Sequence, residues 1–147
     1  MLDLNSDGVK TLSVQDGVSF DLFGTGKKVS TGWVSADDGL LVLDRNGDGV
    51  INDGSELFGS ATALANGQKA SDGYAALRDL DSNQDGVMNS GDAAFTNLKV
   101  WVDADSDGVT DSGELQSLGS LGIRSVSTVA TVELSKDNGN LVVFFYF

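Results

Sequence analysis

Twelve consecutive residues constrain this chain of 147 residues more than any other segment. Residues 103–114 read D-A-D-S-D-G-V-T-D-S-G-E, which places oxygen-bearing side chains at positions 1, 3, 5, 9 and 12 and a glycine at position 6. Ca2+ is a hard cation that takes about six to eight oxygen ligands, and alternating carboxylates around a sharp glycine turn supply them. We therefore predict a calcium-binding loop here, in which the carbonyl of Val109 at position 7 and a closing Glu114 complete the shell.

Two further segments repeat this spacing. Residues 81–92 match it throughout, with an aspartate at position 12. Residues 44–56 match it up to position 9, but Glu56 falls at position 13. Either this loop has an exit one residue longer, or Asp53 or Ser55 takes over the closing ligand.

A fourth copy begins at Asp3 and lacks an acidic residue at position 12. Its shell must be completed from elsewhere, and the nearest carboxylates are those of Asp16 and Asp21. Asp, Asn and Gly also cluster in ordinary turns, because they tolerate left-handed backbone and bond to their own main chain. A plain turn is therefore the competing interpretation, and it is strongest for this fourth copy.

The chain thus offers four predicted metal-binding loops and an acidic pair beside one of them. Side-chain oxygens and, at position 7, main-chain carbonyls are the predicted ligands. The full set is Asp3, Asn5, Asp7, Asp37, Asp38, Asp44, Asn46, Asp48, Val50, Asn52, Glu56, Asp81, Asn83, Asp85, Val87, Asn89, Asp92, Asp103, Asp105, Asp107, Val109, Asp111 and Glu114. We expect about three to five bound Ca2+ ions.

Composition supports this interpretation. The chain has 19 Asp against 3 Glu, and Asp is the shorter ligand that tight loops require. The formal net charge of -13 makes the metal-free chain repel itself, which weakens the compact state. Because each bound calcium adds two positive charges, we predict that folding and metal binding are coupled.

The same composition excludes several classes of function. Cysteine and histidine are absent, which excludes disulfides, thiol nucleophiles, Cys/His zinc sites and a Ser-His-Asp triad. Only nine Lys plus Arg residues, at a pI near 4.1, argue against nucleic acid, whose phosphates need a basic face. No apolar run reaches the ~18 to 20 residues of a membrane span, so no membrane insertion is expected. Many Asp-rich loops without cysteine suit a secreted or cell-surface bacterial protein that works in millimolar calcium.

Hydrophobic spacing predicts one α+β domain over residues 1–147. Tyr74, Leu77 and Leu80 recur at helical spacing before the second loop, and helix is expected to resume behind it at residues 93–98. Helix, loop and helix together predict an EF-hand-like segment. The predicted fold class is a small single domain of short helices and β-hairpins organised around several such calcium loops.

The rest of the chain is predicted to be mainly strands and hairpins. Residues 100–102 are strand formers that lead into the loop at 103, whereas the leucines of residues 115–121 form a helical stripe that leads out of it. Asn138-Gly139 between two apolar runs is a strong hairpin signal, so a C-terminal β-hairpin is expected over about residues 125–147.

Three stretches resemble calcium-binding modules of bacterial RTX (repeats-in-toxin) proteins. They are TGWVSADDGLLVLDRNGDGVINDGSELFG at residues 31–59, GYAALRDLDSN at residues 73–83, and LKVWVD at residues 98–103. The resemblance covers about residues 2–125 and is strongest to the self-processing module of iron-regulated RTX proteins. Related modules occur in large RTX adhesins.

This resemblance implies a module that calcium folds and that then directs cleavage of an Asp-Pro bond just before its N-terminus, after which the new terminal Asp can be joined to a lysine amine. The present chain contains no proline, so no enzyme activity is expected of it as it stands, and autocatalytic cleavage would belong to the full-length parent. The calcium-loop pattern of the family also requires oxygen ligands at the positions of Asp21, Phe23 and Thr25, which indicates that this calcium site is degraded or lost.

We therefore predict a calcium-folded module of a secreted bacterial RTX adhesin or toxin, forming a monomeric part of a larger protein and binding a peptide or cell-surface protein. Asp37 and Asp38 are where an incompletely coordinated calcium could accept a peptide carboxylate, and the alternative is that they only bridge to structural ions. The competing functions are calcium-activated self-processing and a calcium-rigidified spacer. No catalytic residue is predicted.

Overall fold

The computed structural model describes residues 1–129, 135–142, 145 and 147. Its regular elements are short, and most of them are strands. In chain order they are β1 (Thr11–Leu12), β2 (Val18–Phe20), β3 (Val29–Thr31), β4 (Trp33–Val34), β5 (Leu40–Leu43), α1 (Gly73–Arg78), β6 (Val87–Asn89), β7 (Leu98–Trp101), β8 (Leu115–Ser117), β9 (Ser125–Ser127), β10 (Ser135–Asp137) and β11 (Asn140–Val142), with 3-10 turns at Phe95–Asn97 and Gly119–Leu121.

The α+β prediction is wrong, because the described residues form mainly β-structure with α1 as their one α-helix. The EF-hand-like arrangement is wrong for the same reason: α1 precedes the loop at residues 81–92 and β6 lies within it, but a 3-10 turn follows the loop instead of a second helix. The helical stripe expected at residues 115–121 is divided between β8 and another 3-10 turn. Pairing with a neighbouring strand satisfies the main chain there, and this tertiary contact overrides a local spacing that fits a helix.

A three-stranded antiparallel sheet, in the order β5-β7-β8, organises the centre of the molecule. β7 is the middle strand, and its Trp101 lies opposite Leu40 of β5 and Leu115 of β8. Val100 and Trp101 are fully buried, which places one side chain on each face of the sheet in the core. The loop at residues 103–114 is thus the connection between β7 and β8.

Two clusters of buried side chains cover the sheet. The smaller cluster contains Phe20, Trp33 and Trp101, whose rings make tilted or edge contacts with centroids 5.2 to 5.9 Å apart. The larger cluster packs α1 against β6 and β7 through residues such as Leu77 and Met88. Burial of apolar surface stabilises a fold by about 25 cal/mol per Å², so these two clusters contribute stability that does not depend on the acidic loops.

The C-terminal part returns to the N-terminal part. β10 and β11 pair antiparallel around Asn138 and Gly139, whose positive φ angles of 48° and 81° suit a tight two-residue turn. Phe145 is buried and packs its ring against those of Tyr74 and Phe58. The hairpin predicted for residues 125–147 differs at its start, because β9 pairs with β6, and residues 130–134, 143, 144 and 146 lie outside the described residues. Among the described residues, no helix is long and apolar enough to cross a membrane.

Candidate functional site

Five acidic loops share one turn. In each loop, the carboxylate of the first aspartate accepts a hydrogen bond from the main-chain N–H of the glycine five residues later, and that glycine has a positive φ angle. The five bonds are Gly8 to Asp3 (2.9 Å), Gly26 to Asp21 (2.7 Å), Gly49 to Asp44 (2.8 Å), Gly86 to Asp81 (2.9 Å) and Gly108 to Asp103 (2.9 Å). The loop at Asp21 therefore keeps the turn even though Phe23 replaces an oxygen ligand.

The remaining loop positions also bond to their own main chain. Asn5, Asn46 and Asn83, at position 3, each accept from the N–H two residues later, at 3.0 to 3.1 Å. In three loops the N–H of the position-7 valine donates to the aspartate at position 5, at 2.8 to 3.0 Å, and these valines are Val50, Val87 and Val109. These bonds define the course of the loops.

The two ends of the loop at residues 103–114 are fastened to the aromatic core. The indole N–H of Trp33 donates to Asp103 Oδ2 at 2.7 Å, and that of Trp101 donates to Glu114 Oε2 at 3.2 Å. Asp103 is completely buried and Glu114 is 8% exposed, so both bonds form away from water. Because charge-assisted bonds in a low-dielectric surrounding are strong, the core holds both end carboxylates in place.

The carboxylates of this loop converge as metal ligands do. Single oxygens of Asp103, Asp105 and Glu114 lie within 4.8 Å of one another, and so do those of Asp105, Asp107 and Asp111. Desolvation and the neighbouring charge of Asp107 raise the pKa of both Asp105 and Asp111 above the ordinary value. A cluster of hard oxygen donors that repel one another fits a hard divalent cation, because the cation relieves the repulsion.

The closing carboxylate has one geometry in three loops. In each of them it accepts hydrogen bonds from the N–H groups at positions 2 and 9. Glu114 accepts from Ala104 (3.0 Å) and Asp111 (3.0 Å), Asp92 from Ser82 (2.8 Å) and Asn89 (3.0 Å), and Glu56 from Arg45 (3.1 Å) and Asn52 (2.8 Å). The N–H of Asn89 and the Ser82 donors lower the pKa of Asp92.

Glu56 therefore occupies the closing place although it stands at position 13. These hydrogen bonds place Glu56 where a longer exit would have it, and the identity of the closing ligand stays a prediction. Asp53 accepts instead from the N–H (2.8 Å) and the hydroxyl (2.6 Å) of Ser55, so both of these residues are engaged with each other. Within the same loop, Asn46 Nδ2 donates to Asp48 Oδ2 at 3.2 Å and to Asn52 Oδ1 at 3.0 Å, which holds these three side chains together.

The loop at Asp3 is closed by a carboxylate from a distant part of the chain. Asp38 is completely buried and accepts from the N–H of Leu4 (3.4 Å), at position 2, and from the N–H of Lys10 (2.8 Å). It also accepts from the hydroxyl of Ser35 at 3.2 Å, whereas Asp37 is exposed. The side chains of Asp37 and Asp38 therefore do not share a role.

Neither of the carboxylates expected to complete this loop does so through a described hydrogen bond. Asp16 accepts from the Ser13 hydroxyl at 3.0 Å, and Asp21 holds its own turn. Lys10 forms an ion pair with Asp7, and this hydrogen bond raises the pKa of Lys10.

Sequence reasoning also missed Asp137. Its carboxylate accepts from both the N–H (2.7 Å) and the hydroxyl (2.8 Å) of Thr11, which stands at position 9 of the loop at Asp3. Asn138 adds a bond from Nδ2 to the Thr11 carbonyl at 2.6 Å. The sequence signal D-N-G indicated only a hairpin turn, because nothing local shows which surface such a turn will contact.

Two comparisons with known proteins agree with one another. The family model described as the SPM domain matches residues 1–145 of the chain. The Iron-regulated protein FrpA of Neisseria meningitidis serogroup C is 49% identical over 141 residues, which is 95% of this chain and 13% of that relative. The chain thus spans only a small part of the length of this curated relative.

Proposed function

The chain belongs to the SPM-domain family, and from this premise we propose that it is a calcium-folded module of a larger, secreted bacterial protein of the RTX type. The carboxylate cluster at residues 103–114 carries the proposal. There the two end carboxylates, those of Asp103 and Glu114, are held by tryptophans of the core and lie within 4.8 Å of an oxygen of Asp105. Oxygens of Asp105, Asp107 and Asp111 form a second group with the same spacing. The oxygen-only donor set favours Ca2+ over softer metals.

In this function the chain's own residues provide three things. The first aspartate and the glycine of each loop fix the turn, the closing carboxylate joins positions 2 and 9, and the remaining side chains supply oxygens. Bound calcium would neutralise carboxylates that otherwise repel one another at a net charge of -13. Ion binding would therefore stabilise the folded chain against the unfolded one.

Tryptophan fluorescence during a calcium titration tests this proposal. Because both indole N–H groups bond to carboxylates of one loop, we expect the emission to change as calcium binds, and the thermal unfolding midpoint to fall when a chelator is added. The variant Asp105→Asn removes an exposed ligand without touching either indole bond, and it should shift the titration to higher calcium. Asp72→Asn, at the N-cap of α1, is the matched control outside the loops. Equal melting midpoints with calcium and with chelator would contradict the proposal.

A peptide or cell-surface protein ligand is the finer part of this proposal. An apolar groove of about 250 Å³ is lined by residues of several elements, among them Leu22, Phe23, Leu57 and Phe58. Phe23 is 58% exposed, although it is large and apolar. Such a groove suits an apolar side chain of a ligand. Calorimetry with a panel of peptides, in calcium and then in chelator, measures peptide binding. Binding heat that is the same without calcium, or the same in Phe23→Ser, would argue against a peptide site in this groove.

Self-processing is the second candidate, and the sequence resemblance described above favours it. The reaction would belong to a longer parent and would require an Asp-Pro bond just before the module. A fusion that restores the parent's upstream residues should give two fragments on a gel when calcium is added, and Glu114→Gln should slow their appearance. A precursor that stays intact in saturating calcium would leave the module without this role.

A further inference from the structure

The loops at residues 44–56 and 103–114 are joined directly. The main-chain N–H of Ile51 donates to the side-chain hydroxyl of Thr110 at 3.0 Å, although the two residues are 59 positions apart. Each of them stands at position 8 of its loop, between the position-7 carbonyl and the position-9 side chain. The bond therefore connects the same point of the two ligand-bearing segments.

The surroundings make this contact stiff. Ile51 is 3% exposed and belongs to the same buried cluster as Phe20 and Trp101. On the other loop, a Cβ added at Gly108 would lie 2.9 Å from a methyl group of Val18, so that backbone is already seated against β2. Since packed side chains resist continuous deformation, this contact offers a direct route between the two loops.

We propose that Thr110 is a positioning residue that couples the two loops, so that a cation held in one of them raises the affinity of the other. This inference rests on the proposed calcium function and concerns the regulation of the same loops. The positions on either side of the bond carry predicted ligands, Val50 and Asn52 in one loop and Val109 and Asp111 in the other. Ordering one segment therefore orders the partner segment before its own ion binds, and the coupling must be reciprocal.

The test follows each loop separately by NMR, using the amides of Gly49 and Gly108, which bond to the first aspartate of their loops. Asp48→Ala weakens the first loop by removing one carboxylate. In the chain with Thr110, we expect this change to raise the calcium midpoint at Gly108 by roughly fivefold or more, the lower end of ordinary allosteric coupling. In the T110V background, the same change should move that midpoint by less than about twofold, as for independent sites.

Further variants separate coupling from folding. T110S keeps a hydroxyl and should restore the shift seen with Thr110. T31V removes a hydroxyl that bonds only to the neighbouring Gly32 carbonyl, so it should leave the coupling intact. In calcium-bound T110V, the amide of Ile51 should exchange faster with solvent, while that of Leu77 in the core should not.

Two results would overturn the inference, and they differ from a failure of the calcium function. If Asp48→Ala shifted the calcium midpoint at Gly108 equally in the unmodified chain and in T110V, the coupling would not depend on Thr110. No shift in either background would show that the loops bind independently. If neither glycine amide responds to calcium in the unmodified chain, the proposed function fails, and the coupling fails with it.

Discussion

The loop at residues 103–114 and the loop at Asp3 share one turn but are closed in opposite ways. The first is closed by its own Glu114 and fastened to the core by Trp33 and Trp101. The second is closed by Asp38, which lies 34 residues from the Leu4 N–H that it accepts from. The turn is thus a local property, whereas the closing carboxylate can come from the loop itself or from a distant part of the chain.

This difference has an energetic consequence. Bringing together residues that are close in sequence costs little chain entropy, whereas bringing Asp38 to the loop at Asp3 requires the intervening chain to be folded. We therefore expect the loop at residues 103–114 to bind calcium with higher affinity, and the loop at Asp3 to bind only after the domain has formed. The following predictions test that contrast.

Asp103→Ala should have the largest effect. It removes a buried carboxylate that accepts from the N–H groups of Asp107 and Gly108 and from the Trp33 indole, and leaves those donors without a partner. We expect a loss of about 3 kcal/mol or more in the free energy of unfolding, measured by urea denaturation in saturating calcium. Asp105→Ala is the control, because that side chain is exposed and has no such bonds to the core. Similar losses for both variants would mean that charge, not the core bonds, matters in this loop.

Asp38→Asn should have the next largest effect. The amide keeps one acceptor oxygen but cannot serve Leu4, Lys10 and Ser35 as the carboxylate does, which predicts a loss of about 2 kcal/mol. The calcium midpoint at Gly108 should stay unchanged. The exposed Asp37 provides the control as Asp37→Asn. If Asp38→Asn changed the calcium midpoint at Gly108 as much as that at Gly8, the two loops would not differ in how they are closed.

Asp137→Asn should have a smaller effect. Asp137 bonds to Thr11 from a partly exposed position, so we expect a loss of about 1 kcal/mol. Hydrogen exchange should accelerate at Thr11 and be unaltered at Ala104 in the other loop. Protection at Thr11 equal to that of the unmodified chain would show that the C-terminal hairpin does not contribute to the loop at Asp3.

Lys10→Gln should have the smallest effect on stability. The ion pair between Lys10 and Asp7 is exposed, and such pairs contribute little, so no resolvable change in the unfolding midpoint is expected. Calcium should however bind this loop at a slightly lower concentration, because a competing positive charge is removed from a predicted ligand. Calorimetric titration at low salt checks this, and weaker binding of calcium would count against Asp7 as a ligand.

Some features were predictable because they depend on short spacings. The bond from the Gly108 N–H to Asp103 spans five residues, so the D-x-D-x-D-G pattern was enough to predict the turn. The closing geometry of Glu56 was only one of the alternatives, because a single extra residue can be absorbed in the loop exit. The helix expected at residues 115–121 was wrong, since the leucine spacing of a helix also fits a strand followed by a 3-10 turn once β7 offers a partner.

The sequence by itself determined where the acidic turns form and how strongly the chain is charged, because both depend on neighbouring residues and on composition. Only the tertiary structure decided that Asp38 and Asp137 reach the first loop, that two indoles hold the last loop, and that Ile51 meets Thr110. These contacts join residues that are far apart in the chain. Their formation depends on the packing of the whole core, which local pattern does not encode.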